Sequence, residues 1–332
     1  MTAAPATESA LPRPRRWRRR LLRWGVAIFL VVNGASFVAA WTMTHYEAPG
    51  TAEAAPRSAW QKASLVATHL AMSRAHNSHT PEQWHLPYTT LHYPGAHKLD
   101  LETWRIPGEA GRPTVLMFHG YGGCKSNLLS KAQEFHAMGC ETWMVDFHGN
   151  GGSAGTSTTI GYAEADDVLA TIQQAATMRG TKQPLILSGT SMGAAAILCA
   201  IHRYHVQADA LILECPYDRL VTTVGNRCRL LGLPTFPSAD LVVFWGGLQQ
   251  SFNGFELNPV DYAREVQCPA LLLQGECDER VGLDHARKIA TALGAHGTFD
   301  IFAGVGHGIP LGSRWRKDVT EFFAANRLSP GS

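Results

Sequence analysis

No C-x-x-C pair occurs among the seven cysteines, Cys124, Cys140, Cys199, Cys215, Cys228, Cys268 and Cys277, so the usual zinc-ligand spacings are excluded. Several of these cysteines fall inside apolar strand or helix patterns, where the side chain acts as a small hydrophobe. Their odd number leaves at least one thiol without a partner in the chain even in an oxidising compartment. Six histidines between His69 and His97 (His69, His76, His79, His85, His92 and His97) repeat no ligand pattern, and no cluster of thiolates or carboxylates joins them, so no metal site is expected. Repeats and low-complexity tracts do not interrupt the body of the chain, which excludes a solenoid. No Lys-Ser or Lys-Thr stands at the spacing a phosphate-binding loop requires after the glycines of HGYGG, residues 119 to 123. Charge is also missing from residues 24 to 44, WGVAIFLVVNGASFVAAWTMT.

What is present begins with charge placement. The net charge of +2 comes from one arginine block, RPRRWRRRLLR at residues 13 to 23, and the rest of the chain is mildly acidic. No nucleic-acid surface is expected on the globular part. The block leads straight into the uncharged stretch, and about 20 apolar residues suffice to cross a bilayer as a helix. Arginines before the stretch and few charges after it predict a cytoplasmic N-terminus and a body on the far side of the cell membrane. The rival is a cleaved signal, because AEA at residues 52 to 54 resembles a processing site and RRRLLR loosely resembles a twin-arginine export motif; the product would then be secreted or periplasmic. The expected organisation is a basic cytoplasmic segment at 1–23, a transmembrane signal anchor at 24–44, a linker at 45–59 and one domain at 60–332. WQKASLVATHLAMS, residues 60 to 73, has helical spacing. Every candidate catalytic residue lies beyond the linker, so a chain starting near Ala59 is expected to keep its activity.

From about residue 98 short apolar runs alternate with helical patterns. LDLETWRI alternates like a half-exposed strand, while TVLMF, TWMVDF, PLILS, ALILE and ALLLQ read as buried strands. Between them KSNLLSKAQEFHAMG, GYAEADDVLATIQQAATM and MGAAAILCAIHRY have helical periodicity. The alternation predicts an α/β fold with a mostly parallel, doubly wound sheet whose sites lie at the carboxyl ends of the strands. Residues 216 to 258, rich in Leu, Phe, Trp, Pro and Gly, break the rhythm and are expected to form a small helical cap.

LILSGTSMGAAAIL, residues 185 to 198, carries Ser191 in a strand-to-helix turn between Gly189 and Gly193. A serine that only caps a helix needs neither glycine; a strained nucleophile elbow needs both. An activated serine requires a base, and the base a partner that fixes its tautomer. Asp278, in ALLLQGECDERV, and His307, in TFDIFAGVGHGIP, each follow an apolar strand, giving the chain order Ser191, Asp278, His307. Asp218, in ECPYDRL, is the alternative acid. The oxyanion needs two amide donors, assigned to the backbone N–H groups of Met192 and Tyr121.

The motifs HGYGG, DFHGNGGS, GTSMG, GECDERV and GVGHG, in this order, resemble those of the α/β-hydrolase superfamily, in particular the serine aminopeptidase and monoacylglycerol-lipase-like group, over residues 98 to 325. The resemblance implies Ser191 as nucleophile, His307 as general base and acid, and Asp278 as the orienting acid. His148 departs from it by standing where the group has arginine; Asp146 is expected to hold the loop that follows it.

The expected activity is that of a membrane-tethered serine hydrolase cleaving carboxylic esters with an apolar acyl group, through an acyl-enzyme and without cofactor or metal. An ester or lipid substrate and the membrane are the expected partners, with no nucleic acid; the sequence sets no oligomeric state. Aminopeptidase or acyltransferase chemistry uses the same triad, and a non-catalytic binding or scaffold module is the reading from another class.

Overall fold

In the computed structural model, residues 15–47, 71–179 and 183–328 are described. Eight strands form one sheet: β1 (Thr89–Pro94), β2 (Asp100–Ile106), β3 (Thr114–Phe118), β4 (Glu141–Val145), β5 (Leu185–Thr190), β6 (Ala210–Glu214), β7 (Ala270–Gly275) and β8 (Gly297–Phe302). Their order is β1-β2-β4-β3-β5-β6-β7-β8. The β1–β2 and β2–β4 pairs are antiparallel, and every later pair is parallel. The continuous apolar runs are the central strands, buried on both faces, as parallel strands covered by helices must be.

Side-chain alternation sends the two halves of each strand into two cores. Leu116, Phe118, Leu187, Leu213 and Leu272 face one side, which is covered by helices α3 (Glu164–Met178) and α4 (Met192–Tyr204). Val115, Met117, Ile186, Ile212 and Leu271 face the other, covered by α2 (Leu129–Ala137) and the carboxyl-terminal α8 (Ser313–Ala325), where Phe135 meets Trp315 edge-on at 5.4 Å. Between β6 and β7 the chain adds α5 (Leu220–Leu230) and α6 (Thr235–Gln250), and α7 (Leu283–Leu293) follows β7.

The amino-terminal helix α1 (Arg15–Thr44) contains the one segment long and apolar enough to cross a membrane among the described residues, Trp17–Thr44. It is not an appendage to the domain. Ser36, Ala40 and Thr44, spaced four apart, are buried, and Ala40 belongs to the same core as α4. Gly246 of α6 supplies the matching flat surface, since a Cβ there would come 3.9 Å from Ala40 and 3.7 Å from Thr44. Phe37 packs edge-on to Trp245 at 5.4 Å. Past the helix, Tyr46 is buried, its N–H donates to the Thr156 carbonyl at 2.7 Å, and Glu47 N–H donates to the Met72 carbonyl at 3.0 Å. Two expectations change here. Residues 45 to 47 are docked chain and not free linker, and Ala71–Ser73 form a bend and an isolated bridge from Met72 to Tyr46 where a helix over 60–73 was expected; residues 60 to 70 lie outside the described residues.

A chain beginning at Ala59 therefore loses part of its own core. Removal of the buried Ala40 and Tyr46 should destabilise the body by about 3 kcal/mol, the scale of deleting one large core side chain. Differential scanning fluorimetry in a common detergent should report a melting temperature lower by about 5–10 °C than that of the full chain. Equal melting temperatures would mean that α1 only rests on the body.

Candidate active site

Ser191 sits between β5 and α4 with φ 53° and ψ −109°, a left-handed conformation that a non-glycine residue adopts only when its surroundings enforce it. The surroundings do so by close approach. A Cβ at Gly189 would lie 2.5 Å from Ala194 N, and one at Gly193 would lie 2.3 Å from the Phe118 carbonyl oxygen. The glycines let α4 start directly against β5 and β3, and the turn between them throws Ser191 outward. Ser191 N–H donates to the Glu214 carbonyl at 2.7 Å, which fastens the elbow to the end of β6. Its hydroxyl caps nothing, although Ser191 occupies the N-cap position.

Asp278 and His307 come together. His307 Nδ1 lies 2.8 Å from Asp278 Oδ2, and the acid also accepts from Gln274 Nε2 at 3.0 Å and from the N–H groups of Arg280 and Val281 at 3.0 Å each. Burial alone would raise the Asp278 pKa, but the His307 hydrogen bond, the Val281 amide and the His307 charge together hold it below the usual carboxylate value. The acid is thus an anion with all its partners in place, and it directs the proton of His307 to Nδ1. That leaves Nε2 as the free basic atom. Ser191 Oγ and His307 Nε2 make no hydrogen bond among the described residues, so the nucleophile–base contact is open in this state.

Asp218 is placed elsewhere. It accepts from Arg219 N–H at 2.7 Å and Lys288 Nζ at 2.9 Å, with His285 Nδ1 at 2.8 Å, and so ties α5 to α7. Burial opposes its ionisation, yet His285, Thr222 and Lys288 hold its pKa well below the carboxylate range.

The HGYGG loop follows β3. His119 is fully buried, its Nε2 accepts Phe147 N–H at 3.1 Å and its Nδ1 lies 2.8 Å from the Gly120 carbonyl, so the proton is on Nδ1 and the ring braces the loop. Burial pushes its pKa down and keeps the ring neutral. Gly120 lies beside Ser191: a Cβ there would be 3.6 Å from the serine Cβ. The backbone N–H groups of Tyr121 and Met192 donate to no described residue. The Tyr121 side chain runs the other way, donating from its hydroxyl to the Met43 carbonyl of α1 at 2.7 Å beneath the Arg227 guanidinium, 4.6 Å from its ring.

Several supporting groups carried no signal in the sequence. Glu214, buried at the end of β6, accepts from Trp315 Nε1 at 3.0 Å and from Lys131 Nζ, and Lys131 also reaches Thr190 Oγ1 at 3.0 Å. Cys215 next to it adopts φ 48°, and its thiol lies within 4.8 Å of the nearest ligand-type atoms of Asp278 and His307. Burial pushes that thiol up to about 12, and His307 Nδ1 is committed to Asp278, so the three groups do not form a ready cation site. Arg74 donates to the carbonyls of Gly151 and Gly155, the latter at 2.7 Å, and fixes the loop after β4. Asp146, unlike these, was expected from the sequence to hold that loop; it pairs with the buried Lys125 and accepts Lys125 N–H at 2.6 Å and Gly152 N–H at 2.8 Å.

His148 is itself held as a cation. Its Nδ1 is 2.6 Å from Asp167 Oδ2 and its Nε2 is 3.8 Å from Glu164 Oε1, all three residues being buried. Burial would lower its pKa, but the Asp167 charge and hydrogen bond, followed by Glu164, raise it to about 9. Glu164 in turn accepts from Thr158 and Thr159 hydroxyls and from Gly161 N–H at 2.8 Å.

A model of the serine aminopeptidase S33 family matches residues 109–236. An uncharacterized protein of Bacillus subtilis, YqkD, is 22% identical over 203 residues, 60% of this chain and 67% of that protein. Among solved structures, the Pyrococcus furiosus esterase Pf2001 superposes with a TM-score of 0.63 at 19% identity, covering 76% of this chain and 96% of that one. The Pyrococcus horikoshii acylaminoacyl peptidase gives a TM-score of 0.55 at 20% identity, over 74% of this chain and 42% of that one. These likenesses and the strand order together identify an α/β-hydrolase fold.

The His148 cluster sets a pH dependence of stability. A histidine with a folded pKa raised to about 9 contributes stability that is full below its unfolded value of about 6.5 and is lost as pH rises through 9. Urea unfolding should show stability falling by about 2–3 kcal/mol between pH 6.5 and 9. In His148→Gln that decline should be absent; the same slope in both proteins would assign the titration to another group.

Proposed function

We propose that this α/β-hydrolase-superfamily chain is a membrane-anchored serine hydrolase that cleaves carboxylic esters carrying an apolar acyl group. The observation that carries the reading is the pairing of an anionic, fully bonded Asp278 with His307 at 2.8 Å, on the same sheet end as a strained, outward-facing Ser191. When substrate brings His307 Nε2 to the serine, the imidazole takes the hydroxyl proton as Oγ attacks the carbonyl carbon. The Tyr121 and Met192 amides receive the oxyanion. They need no rearrangement, because the elbow and the His119-braced loop already hold them. Collapse expels the alcohol, protonated by His307, and leaves an acyl-enzyme. Water, deprotonated by the same imidazole, then releases the acid. The Leu, Phe and Trp content of residues 216 to 258 supports an acyl or other hydrocarbon group over a sugar.

Aminopeptidase chemistry would need a carboxylate to hold the substrate ammonium. The residues inserted between β6 and β7 offer Asp218, Asp240, Glu256, Asp261 and Glu265; Asp218 is already committed to Lys288 and Thr222, and Asp261 pairs with Arg219. Ester cleavage is therefore the first assay.

Ser191→Ala should reduce hydrolysis of p-nitrophenyl esters by about 10⁴-fold or more and abolish fluorophosphonate labelling, with the melting temperature unchanged. Retention of most activity would reduce the elbow to a structural turn. Asp278→Asn should lower kcat by about 10⁴-fold through the wrong His307 tautomer. Asp218→Asn should act mainly on stability, and the reverse ranking would move the acid to the earlier strand.

A further inference from the structure

The anchor cannot cross a bilayer without taking part of the body with it. Between Arg23 and Ser36, the first buried residue of α1, lie residues 24 to 35. Those twelve residues reach about 18 Å at about 1.5 Å each, against a hydrocarbon thickness of about 30 Å. The missing length can come only from Ser36 to Met43, because the other end is the arginine block. That portion lies along α6: Ala40 faces Gly246, Phe37 meets Trp245, and Gln249 Nε2 donates to the Phe37 carbonyl at 3.0 Å. Whatever surrounds the second half of α1 must surround α6 too.

The composition of this face agrees. From Leu230 to Gln250 the sequence has one charged residue, Asp240, and that side chain lines a cleft with Arg229 and His285. Leu231 and Phe236, at the α5–α6 turn, are 76% and 78% exposed, and Phe244 and Leu248 on α6 are 50% and 62% exposed. In water such an apolar face would be costly, and it is continuous with the exposed hydrocarbon face of α1.

We propose that the α5–α6 turn and the outer face of α6 are embedded in the bilayer leaflet on the body's side, alongside the carboxyl-terminal half of α1. The occupant of this surface is lipid acyl chain. The proposal rests on the membrane-anchored reading of α1, but not on ester hydrolysis.

The test uses the full-length chain in phosphatidylcholine–phosphatidylglycerol vesicles. Leu248→Cys, Phe236→Cys and, as reference, Lys317→Cys on the exposed side of α8 are labelled with an environment-sensitive fluorophore, and the signal from the native cysteines of the unsubstituted chain is subtracted. Labels at 236 and 248 should be quenched by doxyl-labelled lipid about twofold or more over the label at 317, and shielded from aqueous iodide. Iodide quenching at 236 and 248 equal to that at 317 overturns the proposal. Shielding from iodide without doxyl quenching, varying with protein density in the vesicle, also overturns it, because a second copy would then cover the face. Since depth is read without turnover, a failed esterase assay leaves this result standing.

Discussion

The approach of α4 to the sheet is the constraint on which the rest depends. With Gly193 against the Phe118 carbonyl and Gly189 against the first turn of α4, no room remains for a relaxed connection, so Ser191 takes a left-handed backbone. Such a residue carries strain on the order of 1–3 kcal/mol, which persists only when neighbouring structure over-determines it. Here the determination is covalent on both sides and hydrogen-bonded on a third, through Ser191 N–H to Glu214. The same contact that strains the serine also frees the Met192 amide at the start of α4. A strained hydroxyl and an uncommitted donor are thus two results of one packing event.

Around the elbow, buried charge does what a hydrophobic core cannot do for loops. The segments after β3, β4 and β6 contain backbone polar groups that must be paired once removed from water. Asp146 with Lys125, Glu164 and Asp167 with His148, and Glu214 with Lys131 meet that need. Each carboxylate also accepts backbone or side-chain N–H or O–H groups, which makes burial of the ions tolerable and fixes the loops in one arrangement. A histidine serves as the cation in the second cluster because two carboxylates together stabilise its protonated form more than burial penalises it.

Much of this was legible in the sequence where the signal is local. Apolar runs such as TVLMF and ALILE are the central strands because both faces are covered, and Gly189, Ser191 and Gly193 report a turn whose geometry spans only five residues. β1 was illegible: TTLHYP lies at the sheet edge, buries only Tyr93 and has no alternation to detect. Glu214, Lys131 and Trp315 were missed because their meeting is tertiary, across 83 and 101 positions, and none stands out in its own segment. The docking of α1 was missed for a different reason. A uniformly apolar helix looks alike whether lipid or protein faces it, and the small residues Ser36, Ala40 and Thr44 become a stripe only when the spacing of four is read as a helix–helix contact.

That docking also ties α1 to the site. The last carbonyls of a helix have no partner within it, and in a free linker water would supply one. In α1 the Met43 carbonyl instead accepts from Tyr121 Oη, and the Thr44 carbonyl accepts from Thr158 N–H at 2.9 Å. Tyr121 belongs to the loop after β3 that passes beside the elbow at Gly120, and Thr158 also bonds the Glu164 carboxylate. The end of the helix is therefore capped directly by the loops after β3 and β4. A helix fixed in depth by its length and by the arginines at its start would, through these bonds, fix the height and tilt of the strand ends relative to a bilayer surface. Under the proposed anchoring, a flexible tether would leave that orientation to chance, whereas a docked helix would set it.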